Sequence, residues 1–292
     1  MITLHLVTKR PWPLITTFAL IITTYNIRTV ILNLPPISNN YIWTKKYDRT
    51  FTINFNEKPF IDRISLSPRE KIILILVTLL ITLALWWRDV HREASIGHHY
   101  LEAQKLIKIA IIIFILREVM FFFGFFWSYY WYAINNKLIL DNVWPPAIQG
   151  IQTTLNPYRL ALINCFILLS SGVTITFAHF AIIQKKQRDS KKGLTLTIIL
   201  ALMFLIIQIF EYNGRVLNIT SFTFGSIFFT ITGLHGSHVF IGLIIIIIRL
   251  IRTNNGCLSN TRHLGTEITI WYWHFVDVVW LFVYVSLYWW VS

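Results

Sequence analysis

The stretch "WYWHFVDVVWLFVYVSLYWW", from Trp271 to Trp290, decides the fold class of this chain. Its 20 residues are enough for a helix that crosses a lipid bilayer, because each helical residue rises by about 1.5 Å. Two polar residues interrupt it, His274 and Asp277, and both are expensive in hydrocarbon. We therefore predict a transmembrane helix whose polar side chains face protein.

The composition of the 292-residue chain also indicates a membrane protein. Hydrophobic residues make up 55% of it and charged residues only 13%, which is more apolar than a typical soluble domain. The formal net charge is +13, but the basic residues lie mainly between apolar spans, where they orient helices and meet lipid headgroups. This placement argues against a nucleic-acid-binding protein.

Seven apolar spans predict an all-α polytopic membrane protein. Backbone polar groups must be paired within lipid, so such runs form helices, and they lack the alternation of a β-barrel strand. A small excess of basic residues on one side predicts a cytoplasmic or matrix N-terminus and an opposite C-terminus. The predicted spans are 14–34, 71–87, 106–133, 158–184, 194–213, 219–248 and 266–290.

The connection at about 35–70 is long, polar and rich in aromatic residues, without a helical period. Its length and its aromatic content predict an ordered or semi-ordered extramembrane loop that packs on a partner.

A charged motif, "WWRDVHREASIGHH", closes the second span between Trp86 and His99. Its cations can bind phosphate and its carboxylates can orient them, which allows two interpretations. One is a charged helix end that meets headgroups. The other is a specific lipid-phosphate pocket completed by His235, His238 and Arg249 of the sixth span.

Glu118 lies within the third span, in "LREVMFFFGFFWSYYW" from Leu116 to Trp131. Carboxylates inside a membrane either make structural hydrogen bonds or serve proton relays. The sequence favours the structural bond.

The motif "GLHGSHV", from Gly233 to Val239, places two histidines about one turn apart on one helix. Such a pair can bind a metal, but no second pair of facing histidines has suitable spacing. Its small residues equally indicate close packing of helices. We therefore predict no metal site in this chain.

Three polar residues form one stripe along the seventh span. At 100° per residue, Glu267, His274 and Asp277 fall within about 80° of one another. The stripe is interpreted either as a buried hydrogen-bond network or as a proton path, and the residues alone favour the network.

These motifs, in this order, resemble the cytochrome c oxidase subunit III family over nearly the whole chain. The similar stretches are "RPWPL" from Arg10, "WWRDVHRE", "REVMFFFGFFW", "WPP" from Trp144, "TLNP" from Thr154, "NCFILLSSGVTITFAH", "GLHGSHVFIG" and "WYWHFVDVVWLFVYVSLYWW".

The resemblance implies seven transmembrane helices, with the first two separated from the other five by a lipid-filled cleft. It divides the chain into a two-helix part, 1–90, and a five-helix bundle, 91–292. It implies no catalytic residue and no haem or metal in this chain, because the family's haem and copper centres lie in subunits I and II. The chain would stabilise subunit I and support proton uptake and oxygen access while electrons pass from cytochrome c to oxygen.

The resemblance also implies a place, partners and ligands. The place is the mitochondrial inner membrane, with the N-terminus in the matrix and the C-terminus in the intermembrane space. The partners are subunit I, accessory subunits and phospholipids such as cardiolipin or phosphatidylglycerol. Glu118 matches the family's buried carboxylate. The family's lipid-phosphate contacts correspond to Arg92, Glu93, His99, His235, His238 and Arg249.

Two departures from the family pattern concern partners and charge. The 35–70 loop is much longer than the family connection, which predicts a lineage-specific subunit. Arg117 stands where the family usually has a small hydroxyl residue.

The alternative function is an independent proton-coupled transporter that uses Glu118, His274 and Asp277. Such a transporter is expected to show internal repeats or broken helices, and the sequence shows neither.

Overall fold

Helices account for the regular structure of every described part of the chain. The computed structural model describes residues 11–32, 68–96, 101–135, 144, 156–214, 217–255 and 264–291, and these ranges contain no strand. The helices are α1 (Trp12–Leu32), α2 (Pro68–Ile96), α3 (Leu101–Ile134), α4 (Leu160–Ile183), α5 (Gln187–Asn213), α6 (Phe222–Asn254) and α7 (Leu264–Val283), which continues as a π-helix over Tyr284–Trp289. The predicted all-α class is confirmed.

In the part of the chain that the structure describes, five helices are long and apolar enough to cross a membrane. They are α3, α4, α5, α6 and α7 with its π-helical end, and the shortest of these spans, Leu160–Ile183, has 24 residues. At about 1.5 Å per residue even this span exceeds the roughly 30 Å of bilayer hydrocarbon. The described apolar part of α1, Trp12–Ile22, is shorter. Five of the predicted spans thus have the required length and apolar composition, while the seven-span topology and the lipid-filled cleft stay predictions.

The chain forms two compact units, Met1–His99 and Tyr100–Ser292. The predicted division between residues 90 and 91 lies inside α2, because this helix runs to Ile96. In the first unit α1 packs on α2, and the Trp12 indole N–H donates to the Asp89 carboxylate over 2.8 Å. Most of the predicted 35–70 loop lies outside the described residues.

A tight turn makes α4 and α5 antiparallel neighbours in the second unit. Lys185, in this turn, has a φ of 62°. Where the helices meet, a Cβ on Gly193 would lie 2.9 Å from the Cβ of Ala178, closer than side chains tolerate. The absence of a side chain at Gly193 therefore allows the two backbones to approach.

The last helix lies at the centre of the second unit. α7 packs against α3, α4 and α6, and its Trp273 and Trp280 are almost completely buried. In contrast, most side chains in the apolar span of α3 lie on the surface. The polar stripe of α7, which contains Glu267, His274 and Asp277, therefore lies on a helix that packs against three others.

The π-helical end of α7 is held by two tyrosines of α3. The hydroxyl of buried Tyr129 donates to the Ser286 carbonyl oxygen over 2.8 Å, and the hydroxyl of Tyr130 lies 2.7 Å from Ser286 Oγ. These bonds fix a segment whose backbone departs from regular α-helical pairing.

Replacement of Tyr129 by phenylalanine should lower the stability of the second unit by about 1–3 kcal/mol, because the buried Ser286 carbonyl loses a donor. Thermal unfolding of the detergent-solubilised chain measures the change. Tyr132→Phe is the matched control, since Tyr132 is 39% exposed. Equal losses in the two variants would show that the bond to Ser286 contributes nothing.

Candidate functional site

The predicted polar stripe of α7 makes contacts with two helices. The Glu267 carboxylate pairs with the Lys108 ammonium of α3 over 2.6 Å. His274 Nε2 lies 3.1 Å from the Thr176 hydroxyl of α4. Charged and polar groups of α7 are therefore joined to neighbouring helices at several depths.

Asp277 lies at the buried junction of α7 and α4. It is 6% exposed, its Oδ2 is 3.6 Å from His274 Nδ1, and a Cβ added at Gly172 would overlap its carboxylate. The Thr176 hydroxyl donates to the Gly172 carbonyl over 2.8 Å, so its oxygen is left to accept from His274 Nε2–H. His274, which is half-exposed, then presents Nδ1 to Asp277. These contacts connect α7 to α4, and a part in proton movement stays a prediction.

Replacement of Gly172 by alanine should destabilise this junction by about 1–3 kcal/mol, because the added methyl group would overlap the Asp277 carboxylate. Detergent resistance and thermal unfolding of the purified chain measure the effect. Gly233→Ala is the matched control, since a Cβ at this exposed helical position has no neighbour within 4 Å. A loss in the control as large as in Gly172→Ala would rule out the steric explanation.

The carboxylate of Glu118 connects α3 with α6. Its Oε2 lies 3.0 Å from His238 Nε2, and its Oε1 accepts from the Arg117 guanidinium over 2.7 Å. The guanidinium carbon also lies 5.2 Å from the centre of the Phe114 ring. Glu118 and His238 belong to separate sequence motifs, and no local signal joins residues 120 positions apart.

The hydrogen positions around His238 follow from its partners. The ring Nδ1 lies 2.8 Å from the Leu234 carbonyl oxygen, which can only accept, so Nδ1 carries a hydrogen. The other nitrogen, Nε2, faces the Glu118 carboxylate, and a hydrogen bond there needs a proton on one of the two groups. Glu118 and His238 therefore hold one proton between them.

The second histidine of the "GLHGSHV" motif has different partners. His235 is 1% exposed, lies between Phe204 and Trp280, and its Nε2–H donates to the Val276 carbonyl over 3.2 Å. The two histidines thus serve separate helix contacts. In the described ranges no group of three or more His, Cys, Asp or Glu residues could hold a metal ion.

The predicted lipid-phosphate residues belong to both units. Arg92 is exposed and Glu93 partly buried on α2, while His99 lies outside the described residues. The Arg249 guanidinium of α6 lies against Gly265 of α7, where a Cβ would overlap it. Within the described ranges no carboxylate pairs with Arg249, and the shared phosphate pocket stays a prediction.

An apolar helical bundle with polar pairs between its helices defines a multi-pass membrane protein of the α-helical class. The sequence model of cytochrome c oxidase subunit III matches residues 61–292. The chain therefore belongs to the cytochrome c oxidase subunit III family.

Relatives of this chain support the same assignment. Cytochrome c oxidase subunit 3 of Pelomedusa subrufa is 44% identical over 224 residues, which cover 76% of this chain and 85% of the relative. The subunit 3 proteins of Myxine glutinosa and Latimeria chalumnae are each 42% identical over 222 residues, 76% of this chain and 84% of each relative. The similarity to cytochrome c oxidase subunits thus extends over most of the chain.

Proposed function

We propose that this chain is a non-catalytic subunit of mitochondrial cytochrome c oxidase, respiratory complex IV, and that it stabilises catalytic subunit I. The observation that carries the proposal, beside family membership, is the surface of α3. Only 6% of its apolar span is buried within the chain, compared with 56% for α7. An apolar helix with so little cover inside its own chain is suited to contacts with other subunits and with lipid.

The chain itself takes no part in electron transfer in this proposal. Electrons would pass from cytochrome c to oxygen through the haem and copper centres of subunits I and II. The seven helices would lie in the inner membrane with the N-terminus in the matrix and the C-terminus in the intermembrane space. The 35–70 loop would lie on the intermembrane-space side and pack on an accessory subunit.

Phospholipid binding is the second part of the proposal. Arg249 carries it, because its guanidinium lies at the junction of α6 and α7 with no carboxylate partner among the described residues. A phosphate group, as in cardiolipin or phosphatidylglycerol, offers charge-assisted hydrogen bonds to such a cation. Arg92, Glu93 and His99 are proposed to bind lipid phosphate as well. His238 would contribute through its bond to Glu118, and the enclosed His235 by positioning α6.

Support of proton uptake and of oxygen access is the third part. Glu118, His274 and Asp277 are the proposed proton-related residues, since each is a titratable group within an apolar span. Oxygen would reach subunit I through lipid bound to this chain.

An independent proton-coupled transporter remains the alternative. It would need polar residues around one site near the middle of the membrane, formed by broken helices. Glu118 instead hydrogen-bonds to His238, whereas the Asp277 carboxylate lies 3.6 Å from His274 Nδ1. This separation favours the oxidase subunit.

Purification in mild detergent tests the proposed function. The chain should co-purify with a haem-containing subunit in constant ratio, whereas a solitary stable oligomer would favour the transporter.

Mass spectrometry of co-purified lipids tests the proposed lipid binding. Arg249→Gln should reduce bound anionic phospholipid, and Lys185→Gln, in an exposed turn, should not. Unchanged lipid content in Arg249→Gln would refute the phosphate site.

A further inference from the structure

Arg117 and Glu118 lie deep within the apolar span of α3. Lys108, whose ammonium pairs with Glu267, precedes Glu118 by ten residues on the same helix. At about 1.5 Å per residue, Glu118 lies roughly 15 Å from that ion pair along the helix axis, about half of the bilayer hydrocarbon thickness. The contact of Glu118 with His238 therefore occurs far from either membrane surface.

The cluster of Arg117, Glu118 and His238 carries a net charge of one positive unit. Glu118 and His238 hold one shared proton, and their joint charge is zero whichever group carries it. Arg117 is always protonated and adds one positive charge. The sum does not depend on where the shared proton lies.

The guanidinium of Arg117 lies on the outer surface of the second unit. Its side chain is 71% exposed although it bonds to Glu118. A guanidinium has five N–H donors, and lipid chains offer no acceptor for those that Glu118 leaves unused. A cation at this depth needs an anionic or strongly accepting partner.

The described helices offer no free carboxylate within their apolar parts. Neither α1 nor the part of α2 between Lys71 and Arg88 contains an aspartate or glutamate. In the second unit, Glu102 and Asp189 lie in the first turns of their helices, far from Arg117. The other described carboxylates of the apolar spans, besides Glu118, already have partners: Glu211 with Tyr288, Glu267 with Lys108, and Asp277 with His274. The phosphates of bilayer lipids lie in the headgroup region, about 15 Å away.

We propose that Arg117 pairs with an aspartate or glutamate on a transmembrane helix of another subunit of the oxidase. This inference rests on the proposed function, because it needs a membrane complex around the chain. The guanidinium fork matches a carboxylate in two parallel hydrogen bonds, and the aromatic ring of Phe114 supports the cation from one side. The pair would neutralise the mid-membrane cluster and fix the register between α3 and the partner helix.

Chemical cross-linking of the intact complex tests the pair. Arg117→Lys retains the charge and supplies an amine, which a membrane-soluble carbodiimide joins to a carboxylate as an amide while the carbodiimide becomes a urea. We expect a cross-link from position 117 to a transmembrane aspartate or glutamate of another chain, identified by peptide mass spectrometry. Arg117→Gln, which has no amine, should give none. An amide to Glu118 alone, or no amide in an assembled complex, would overturn the inference.

Retention of the subunit during detergent washing gives a second test, because a carboxylate partner and a lipid environment predict opposite effects of Arg117→Gln. If Arg117 neutralises a partner's carboxylate, Arg117→Gln leaves that charge unpaired and should weaken retention by about ten-fold or more, while Arg117→Lys retains it. If Arg117 faces lipid, Arg117→Gln removes an exposed charge and should retain the subunit equally well or better, which contradicts the inference.

A density map of the unmodified complex decides the matter even where the variants fail to assemble. A carboxylate of another chain within about 4 Å of the guanidinium supports the pair. A lipid phosphate, water alone, or a residue of this chain other than Glu118 as the further partner of the guanidinium refutes it. Failure to co-purify with a haem-containing subunit would instead refute the proposed function itself.

Discussion

Replacement of Trp280 by alanine should destabilise the second unit by about 3–5 kcal/mol, the usual cost of deleting a buried aromatic side chain. Trp280 is 1% exposed and contacts side chains of three helices. Its ring centre lies 4.8 Å from Phe204 of α5 and 5.1 Å from His235 of α6, and its indole N–H points to Cys165 Sγ of α4 over 3.2 Å. Removal of the ring would leave a cavity where α4, α5, α6 and α7 meet.

Thermal and denaturant unfolding of the full chain in mild detergent measures this loss. Trp127→Ala is the matched control, because Trp127 belongs to an apolar span but is 63% exposed. In the chain alone it should change stability by about 1 kcal/mol or less. A Trp280→Ala variant as stable as Trp127→Ala would mean that α7 does not pack between the other helices as described.

Replacement of Glu118 by alanine should also be severe, with an expected loss of about 3–5 kcal/mol. The Glu118 carboxylate is the partner of both Arg117 and His238. Without it the Arg117 cation is left uncompensated within the apolar span, and His238 Nε2 loses its contact with α3. The contact between α3 and α6 should loosen as a result.

Glu118→Gln separates loss of charge from loss of hydrogen bonding. The amide oxygen can still accept from Arg117, and the amide N–H can donate to the free Nε2 of a neutral His238. The glutamine variant should therefore retain much more stability than the alanine variant in the same unfolding assay. Glutamine as damaging as alanine would contradict this assignment of the hydrogen bonds.

The ion pair between Lys108 and Glu267, near the end of the membrane span, shows how much depth in the membrane adds to the strength of such a pair. Lys108 lies near the start of α3, where a partly exposed ammonium can reach water, so the loss of its partner in Glu267→Ala should cost about 1 kcal/mol or less. A loss as large as in Glu118→Ala would show that depth in the span does not decide the strength of these pairs.

The class of the fold follows from the sequence because the apolar runs are long and nearly free of charge. Membrane spans of this kind are recognised from local composition alone, since lipid forces each backbone to satisfy its own hydrogen bonds. The observed bounds differ from the predicted ones mainly where charged residues extend a helix, as in α2, which ends at Ile96, and α5, which starts at Gln187. Charged ends of helices can lie in the headgroup region, which hydropathy does not detect.

The sequence by itself determined the helices, the family and the polar stripe that contains His274 and Asp277, because periodicity fixes which residues share a helix face. Only the tertiary structure decided the partners. It joined Glu118 to His238 across 120 positions, and it separated His235 from His238 although the two lie on one face of the same helix. Such contacts depend on how helices rotate and cross, and packing of small residues such as Gly172 and Gly193 sets those angles. Helical periodicity fixes the face that a residue occupies, and the neighbouring helix decides what that face contacts.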